Sequence, residues 1–327
     1  MFRFIIKRVL LFIPTVLGVL FIVFTINYYT PSDPVYATYG TNLTQEEYDQ
    51  KKEEMGLNKP FIVQFVDYVV HAVQLDLGNS YGNKRPVMTQ ILERAPKTLL
   101  LGALGMAITV IVGIFCGIVS ATKQKSALDY ILTTVSLLFA SMPNFWLGLM
   151  LIIVFSQMLG WLPATGIKSW LGWILPVVTL GLGPLANITR ITRSSMLDVI
   201  RQDYIRTARS KGLTERQIIY KHALRNALIP VVTVIGFMMS MIMGGSAVVE
   251  GIFSFPGIGQ MRMSAVAQAD FPLIQGSVVF ISLFVCVVNL AVDILYGFID
   301  PRIKAQYVTA KKAKKTAAQK GKEGALA

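Results

Sequence analysis

Residues able to do chemistry are sparse in these 327 positions, and they do not gather into a reactive set. There are two histidines, His71 and His222, and two cysteines, Cys116 and Cys286, all far apart along the chain. No HExxH or CxxC spacing brings ligands together, which excludes the usual zinc and redox constellations. A GxxxxGK[ST] loop is absent too, so no backbone cradle for nucleotide phosphates is encoded. The chain reads as something other than an enzyme. What stands out instead are carboxylates beside apolar stretches, because a charge near the bilayer centre costs about 2.5–3.5 kcal/mol even on the insertion scale. Glu250 reads either as a hydrated interfacial group or as a substrate contact. Asp293, one turn beyond Asn289, reads as a partner for a neighbouring helix or as a pathway group. Met238, Met239, Met241 and Met243 occupy more than one face of the same segment, where thioethers suit either a permissive pocket or plain packing. Met239, Met243, Glu250, Asn289 and Asp293 are therefore the pathway or gate candidates.

A second chemical feature is the basic stretch Asp203–Pro230, DYIRTARSKGLTERQIIYKHALRNALIP. Gly212 suits the left-handed residue that ends one helix, and Thr214 with Gln217 forms a capping box that starts another. Leu213 and Ile218 fit the accompanying hydrophobic staple. Tyr204, Ile205 and Ala208 then share a face, an apolar knob ringed by Arg206, Arg209 and Lys211 and shaped to fill a groove in another protein.

The elements that must position these residues are membrane helices. The chain is 54% hydrophobic and only 15% charged, with mean hydropathy +0.56, a composition richer in apolar residues than a soluble domain needs. Six segments, near 9–29, 98–121, 130–158, 173–194, 228–249 and 273–298, are long enough to cross about 30 Å of hydrocarbon. The first runs too long for a cleavable signal peptide and lacks a cleavage site. The expected fold is all-α and polytopic, with six transmembrane helices. Basic residues orient it: Arg3, Lys7 and Arg8, then Lys123 and Lys125, then nine between Arg190 and Arg225, then eight from Arg302 to Lys322, all fall on one side. The positive-inside rule puts that side, and both termini, in the cytoplasm. A net charge of +13 and a pI near 9.7 then reflect that bias and attraction to anionic lipid, and nucleic acid is not an expected partner.

Between the first two spans, residues 30–97 form an extracytoplasmic segment too patterned for a linker. Thr44 and Glu47 form a capping box before a charged helix that Gly56 can end, and Pro60 suits the start of a second. In that second helix Phe61, Phe65, Val69 and Val73 share a face, and it should lie on a surface. Gly113 and Gly117 form a GxxxG pair, and Gly181, Gly183 and Pro184 interrupt the fourth span; both patterns fit close helix packing or a kink. Asp300–Pro301–Arg302 punctuates the last helix, and 306–327 is a basic, disordered cytoplasmic tail facing lipid.

Ala208, Gly212 and the spacing on to Leu224 resemble the EAA loop of binding-protein-dependent ABC importer permeases, the segment that docks on the ATPase subunit. The general pattern has Glu, Ala, Ile and Pro where this chain has Arg206, Thr207, His222 and Arg225. These departures are similar to the oligopeptide/dipeptide/nickel branch. RFIIKRVLLFIPTVLGV, PSDP, DLGNS, PVMTQILERAPKTLLL, GGSAVVEGIFSFPGIGQ and FPLIQG resemble that branch as well, although PSDP stands where PGDP is usual.

The resemblance implies a type I importer permease in a bacterial or archaeal cell membrane. It divides as helix 1–29, segment 30–97, a five-helix core 98–305 with coupling loop 195–228, and the tail. It also implies a second related permease, two ABC ATPases that bind ATP and Mg2+, an extracytoplasmic solute-binding protein and a peptide cargo, with no cofactor in this chain. Tyr204, Ile205, Arg206, Ala208, Arg209, Gly212, Ile218 and His222 would carry ATPase coupling. Nickel or glutathione cargo stays open, and an ATP-independent secondary transporter is the rival from another class.

Overall fold

The computed structural model describes residues 2–299, and within them the chain is helical, with one isolated antiparallel bridge between Asn79 and Pro86. The stop at Asp300–Arg302 and the tail at 306–327 lie outside the described residues.

The first apolar segment forms α1 (Phe2–Tyr29). Two short polar helices follow. Asp33 opens α2 (Pro34–Tyr39), its Oδ1 accepting from the Val35 N–H at 2.8 Å, and the Thr44/Glu47 capping box opens α3 (Gln45–Glu54). The next, α4 (Phe61–Val73), is about 20 Å long at 1.5 Å per residue, too short to cross a bilayer. It lies instead along the end of α1. Phe61 and Phe65 meet Phe21 edge to face at 6.0 and 5.3 Å between ring centroids, and Tyr68 stacks on Phe24 at 6.0 Å. Val73, expected on the same face, is exposed; the packed stripe runs Phe61, Phe65, Tyr68.

α5 (Val87–Thr122) runs unbroken for 36 residues, through Lys97 and Thr98. The single span expected at 130–158 is not one helix. α6 (Ala127–Ser141) meets α7 (Asn144–Leu151) and its π-helical continuation Ile152–Met158 at 103°. Pro143 causes the break, because its ring disfavours helical geometry at Met142, which is extended at φ −84°, ψ 127°. α8 (Leu171–Leu182) and α9 (Leu185–Ile200) meet at 50° across Gly183 and Pro184, the interruption expected there.

α10 (Asp203–Ser210), the single turn α11 (Glu215–Gln217) and a π-helical turn Ile218–Ala223 lead into α12 (Leu224–Ile252). α13 (Ile258–Ala267) and α14 (Phe271–Ile299) complete the described chain.

Among the described residues, Arg8–Tyr29, Val87–Thr122, Glu215–Ser240 and Phe271–Ile294 are continuous and apolar enough to cross a membrane, with up to six crossings if each bent pair is one span. Ile111, Phe115, Ile131 and Leu138 stay exposed, as a lipid-facing surface requires.

Small residues bring the central helices together. A Cβ added to Gly117 would come within 2.5 Å of Thr192 Cβ, and one on Gly113 within 2.8 Å of Ile188 Cγ2, so α5 and α9 touch nearly backbone to backbone. Buried clusters run the length of the bundle. One, around Val87, Ile91, Ile258 and Leu273, lies at the α13 end; another, around Ile118, Met196, Ile205 and Ile218, lies at the α10 end.

Candidate functional site

The loop from α10 to α12 follows its local sequence closely. Gly212 takes φ +78°, ending α10, and Thr214 and Gln217 exchange backbone-to-side-chain hydrogen bonds at 3.4 and 3.2 Å. Where its apolar face points is a correction. Ile205 is fully buried and Ala208 nearly so, packed on Ile118 and Ala121 of α5, Met196 of α9, and Ile218, Ala223 and Ala227. They do not form an outward knob. An apolar face only a few residues wide is satisfied by the nearest apolar surface, and here that surface is the chain's own helix ends. Each large buried side chain contributes about 1.5–3 kcal/mol as an upper estimate.

What faces outward is Tyr204, Arg206, Arg209 and Tyr220, all exposed. Tyr204 is held in place by the Asn226 amide, which donates to its hydroxyl at 3.0 Å. Asn226 also donates to the carbonyl of half-buried His222 at 3.2 Å, so these residues share one network. Arg209 Nε donates to Glu215 Oε1 at 2.7 Å across the turn, and this bond holds the Glu215 carboxyl below its usual range.

Behind the loop lies a pair that the sequence did not single out. Asp129, early in α6 and buried, receives two hydrogen bonds from Arg193 of α9, each 2.8 Å. One signal was present: a lone acid in the first turn of an otherwise apolar helix.

At the opposite end of the bundle Glu250 is fully buried, not a hydrated interfacial group. Its Oε2 accepts from the Gln260 N–H at 3.0 Å, while Thr98 Oγ1 of α5 accepts from the Ile258 N–H at 2.8 Å. One side chain from α12 and one from α5 thus satisfy the first turn of α13. Gly257 and Gly259 lie so near the carboxylate that an added Cβ on either would overlap it. The connection between α12 and α13 folds back over Glu250 and excludes water; Phe255 within it is buried edge to face on Trp173 at 4.9 Å.

Asp270, before α14, plays a comparable part. Ser80 Oγ donates to it at 2.5 Å, and the Tyr81 and Gly82 N–H groups at 3.1 and 3.3 Å. DLGNS and FPLIQG are thereby joined, and burial together with Asp270 pushes the Tyr81 phenol up to about 12. A cavity of about 730 Å³ opens beside this junction, bounded by Asn27, Asp33, Tyr68, Tyr81 and Gln275.

The remaining candidates do not converge. Ser240 Oγ donates to Asn289 Oδ1 at 2.8 Å, joining α12 to α14. Asp293 pairs with Arg8 of α1. Met239 is partly exposed, its neighbour Met238 packs against Ile188 and Val231, and the side chain of Met243 lies outside the described residues. Among the described residues no group of three or more His, Cys, Asp or Glu side chains could hold a metal ion.

Comparison with known proteins gives a consistent pattern. The family described as binding-protein-dependent transport system inner membrane component matches residues 113–305, and the companion family for the N-terminal part of such components matches residues 1–102. The oligopeptide transport system permease protein AppB of Bacillus subtilis (strain 168) is 40% identical over 315 residues, covering 93% of this chain and 100% of that protein. The glutathione transport system permease protein GsiC of Escherichia coli O6:H1 is 40% identical over 304 residues, covering 93% and 99%. The dipeptide transport system permease protein DppB of Alkalihalophilus pseudofirmus is 39% identical, covering 93% and 100%. Among solved structures, an inward-facing conformation of the MetNI methionine ABC transporter superposes with a TM-score of 0.54 at 19% identity, covering 65% of this chain and 97% of that one, which supports a shared fold.

Proposed function

The chain belongs to the family of binding-protein-dependent transport system inner membrane components, and from that premise we propose that it is one of two permease subunits of an ATP-driven importer of oligopeptides or dipeptides. The observation that carries the reading is similarity along 93% of the chain to an oligopeptide permease matched over its whole length. The protein is an integral component of the cell membrane and not a catalytic subunit. A second permease, two ATPase subunits that bind ATP and Mg2+, and an extracytoplasmic binding protein complete the complex in this reading.

The proposed orientation places the α10–α12 loop and both termini in the cytoplasm, with six crossings when each bent pair counts as one. Its support is the gathering of basic residues on the loop side. The loop docks on an ATPase through Tyr204, Arg206, Arg209 and Tyr220, since Ile205, Ala208 and Ile218 are occupied in its own core. That core makes the loop a stiff contact able to pass rigid-body motion to the helices. Segment 30–97, anchored by Asp270 and the α1–α4 aromatic cluster, receives the binding protein. Cargo crosses without any bond in it being changed.

Glutathione is the second reading, favoured by an equally similar glutathione permease. Membrane vesicles carrying the complete complex test both. ATP-dependent accumulation of a labelled dipeptide or longer peptide, competed poorly by glutathione, is expected. Uptake that persists without ATPase subunits would instead mark a secondary transporter.

A further inference from the structure

The pair between α6 and α9, a buried carboxylate gripped by a half-buried guanidinium, stands directly against the core of the loop. The Asp129 side chain is 4% exposed. Arg193 grips it with Nε on Oδ1 and Nη2 on Oδ2, both at 2.8 Å. Ser120 Oγ of α5 donates to Oδ1, and the Lys125 N–H, in the turn between α5 and α6, donates to Oδ2 at 3.0 Å. One carboxylate therefore ties together the end of α5, the following turn, the start of α6 and the second half of α9.

The loop core begins immediately beside this junction. Ile118 and Ala121 flank Ser120 on α5, Met196 lies about one turn beyond Arg193 on α9, and all three pack on Ile205 or its neighbours in one cluster. Between α5 and α9 nearby, the approaches of Gly113 to Ile188 and Gly117 to Thr192 are close but non-directional. Small-residue packing of that kind can slide, whereas a two-bond guanidinium–carboxylate fork fixes both angle and register. Such a pair is a weak source of stability compared with apolar residues of similar volume. Its distinctive contribution here is geometric.

We propose that Asp129 and Arg193 are positioning residues of the coupling route, locking α5, α6 and α9 into one body so that displacement of the loop moves all three helices together. The proposal rests on the importer reading above.

The test uses the complete complex, with ATPase subunits and binding protein, in proteoliposomes. D129L/R193M replaces the pair with apolar side chains, and R193K keeps the charge but loses the fork. ATPase co-purification, thermal midpoint, ATP hydrolysis and peptide imported per ATP are measured. D129L/R193M should assemble with a thermal midpoint lowered modestly, because the Ser120 hydroxyl and Lys125 N–H lose their acceptor, and should import about fivefold less peptide per ATP, with R193K between it and the wild type. An assembled D129L/R193M complex with the wild-type ratio overturns the proposal. Should that variant fail to assemble, R193K decides, and a wild-type ratio there overturns it equally. Absence of ATP-dependent uptake in the wild-type complex would strike the importer reading itself.

Discussion

Arg8 Nη1 lies 2.9 Å from Asp293 Oδ2, pinning α1 to α14. The Asp293 side chain is 18% exposed and that of Arg8 43%, so the pair lies between a surface and a buried ion pair. A double-mutant cycle with R8Q and D293N should give a coupling of about 1–2 kcal/mol in thermal unfolding of the purified protein. R8Q should cost more than D293N, because it leaves a partly buried carboxylate without its guanidinium. A coupling near zero would mean that α1 is held on α14 by apolar packing alone.

Glu250 should tolerate an amide but not truncation. E250Q keeps an oxygen that accepts from the Gln260 N–H and should cost about 1 kcal/mol or less. E250A leaves that buried donor unmet and opens a cavity beneath the α12–α13 connection, for about 3 kcal/mol in total. Protease cleavage near 253–260 reports the loosening directly. Equal resistance in the two variants would show that Phe255 packing, not the carboxylate, holds this turn.

What the sequence made legible was set by neighbours a few positions apart. The capping boxes at Thr44 and Thr214, the left-handed Gly212 and the break at Pro184 each depend on chemistry within about one helical turn. The direction of the α10 apolar face was not legible. Tyr204, Ile205 and Ala208 give the same stripe whether it turns outward or inward, and the choice depends on Ile118, Ala121 and Met196, far away in the chain. Asp129 was hidden for a related reason. It resembles an ordinary first-turn acid after the Ser126 N-cap, and Arg193 reads as one more positive-inside charge until the fold brings them together. Glu250 ends an apolar helix, where a hydrated carboxylate is the simple expectation, but the segment that covers it comes later in the chain.

The glycine contacts separate packing from conformation. At Gly117 an added Cβ would sit 2.5 Å from Thr192 Cβ and 2.9 Å from the Thr189 carbonyl oxygen, so G117A should push α5 off α9 and cost about 1–3 kcal/mol. At Gly18, inside α1, nothing lies within 4 Å, so G18A should not lower the unfolding temperature and should raise it slightly through helix propensity. If both variants behave alike, α5 and α9 are less closely packed than these distances require.

Protonation of Glu215 should loosen the turn after α10. The Arg209 hydrogen bond depresses its folded-state pKa, so the pair's contribution is complete above the unfolded value, about 4.3. It is lost as pH falls through the lower folded value. Both partners are exposed, which limits the effect to about 0.5–1 kcal/mol and makes it sensitive to salt. Hydrogen exchange of amides 209–217 should be steady from neutral pH to about 5, after correction for intrinsic rates, and rise only in stronger acid. E215Q should remove that acid step; its survival would assign the step to another group.

Gly212 gives the cleanest test of whether this loop transmits anything. Its φ of +78° lies in the left-handed region, and nothing stands within 4 Å of an added Cβ, so substitutions act through backbone strain without a clash. Asn visits this region readily and G212N should couple ATP hydrolysis to uptake almost normally. A β-branched residue does not, and G212V should cost about 1–3 kcal/mol locally. The turn would open and pull Ile205 and Ala208 from their seat against Met196 and Ile218, leaving the ATPase contact without a rigid base. Peptide uptake per ATP in the reconstituted complex should therefore fall in G212V while membrane insertion is unchanged. Wild-type uptake in G212V, with hydrogen exchange confirming that the loop had loosened, would separate loop order from transport and sink its coupling role.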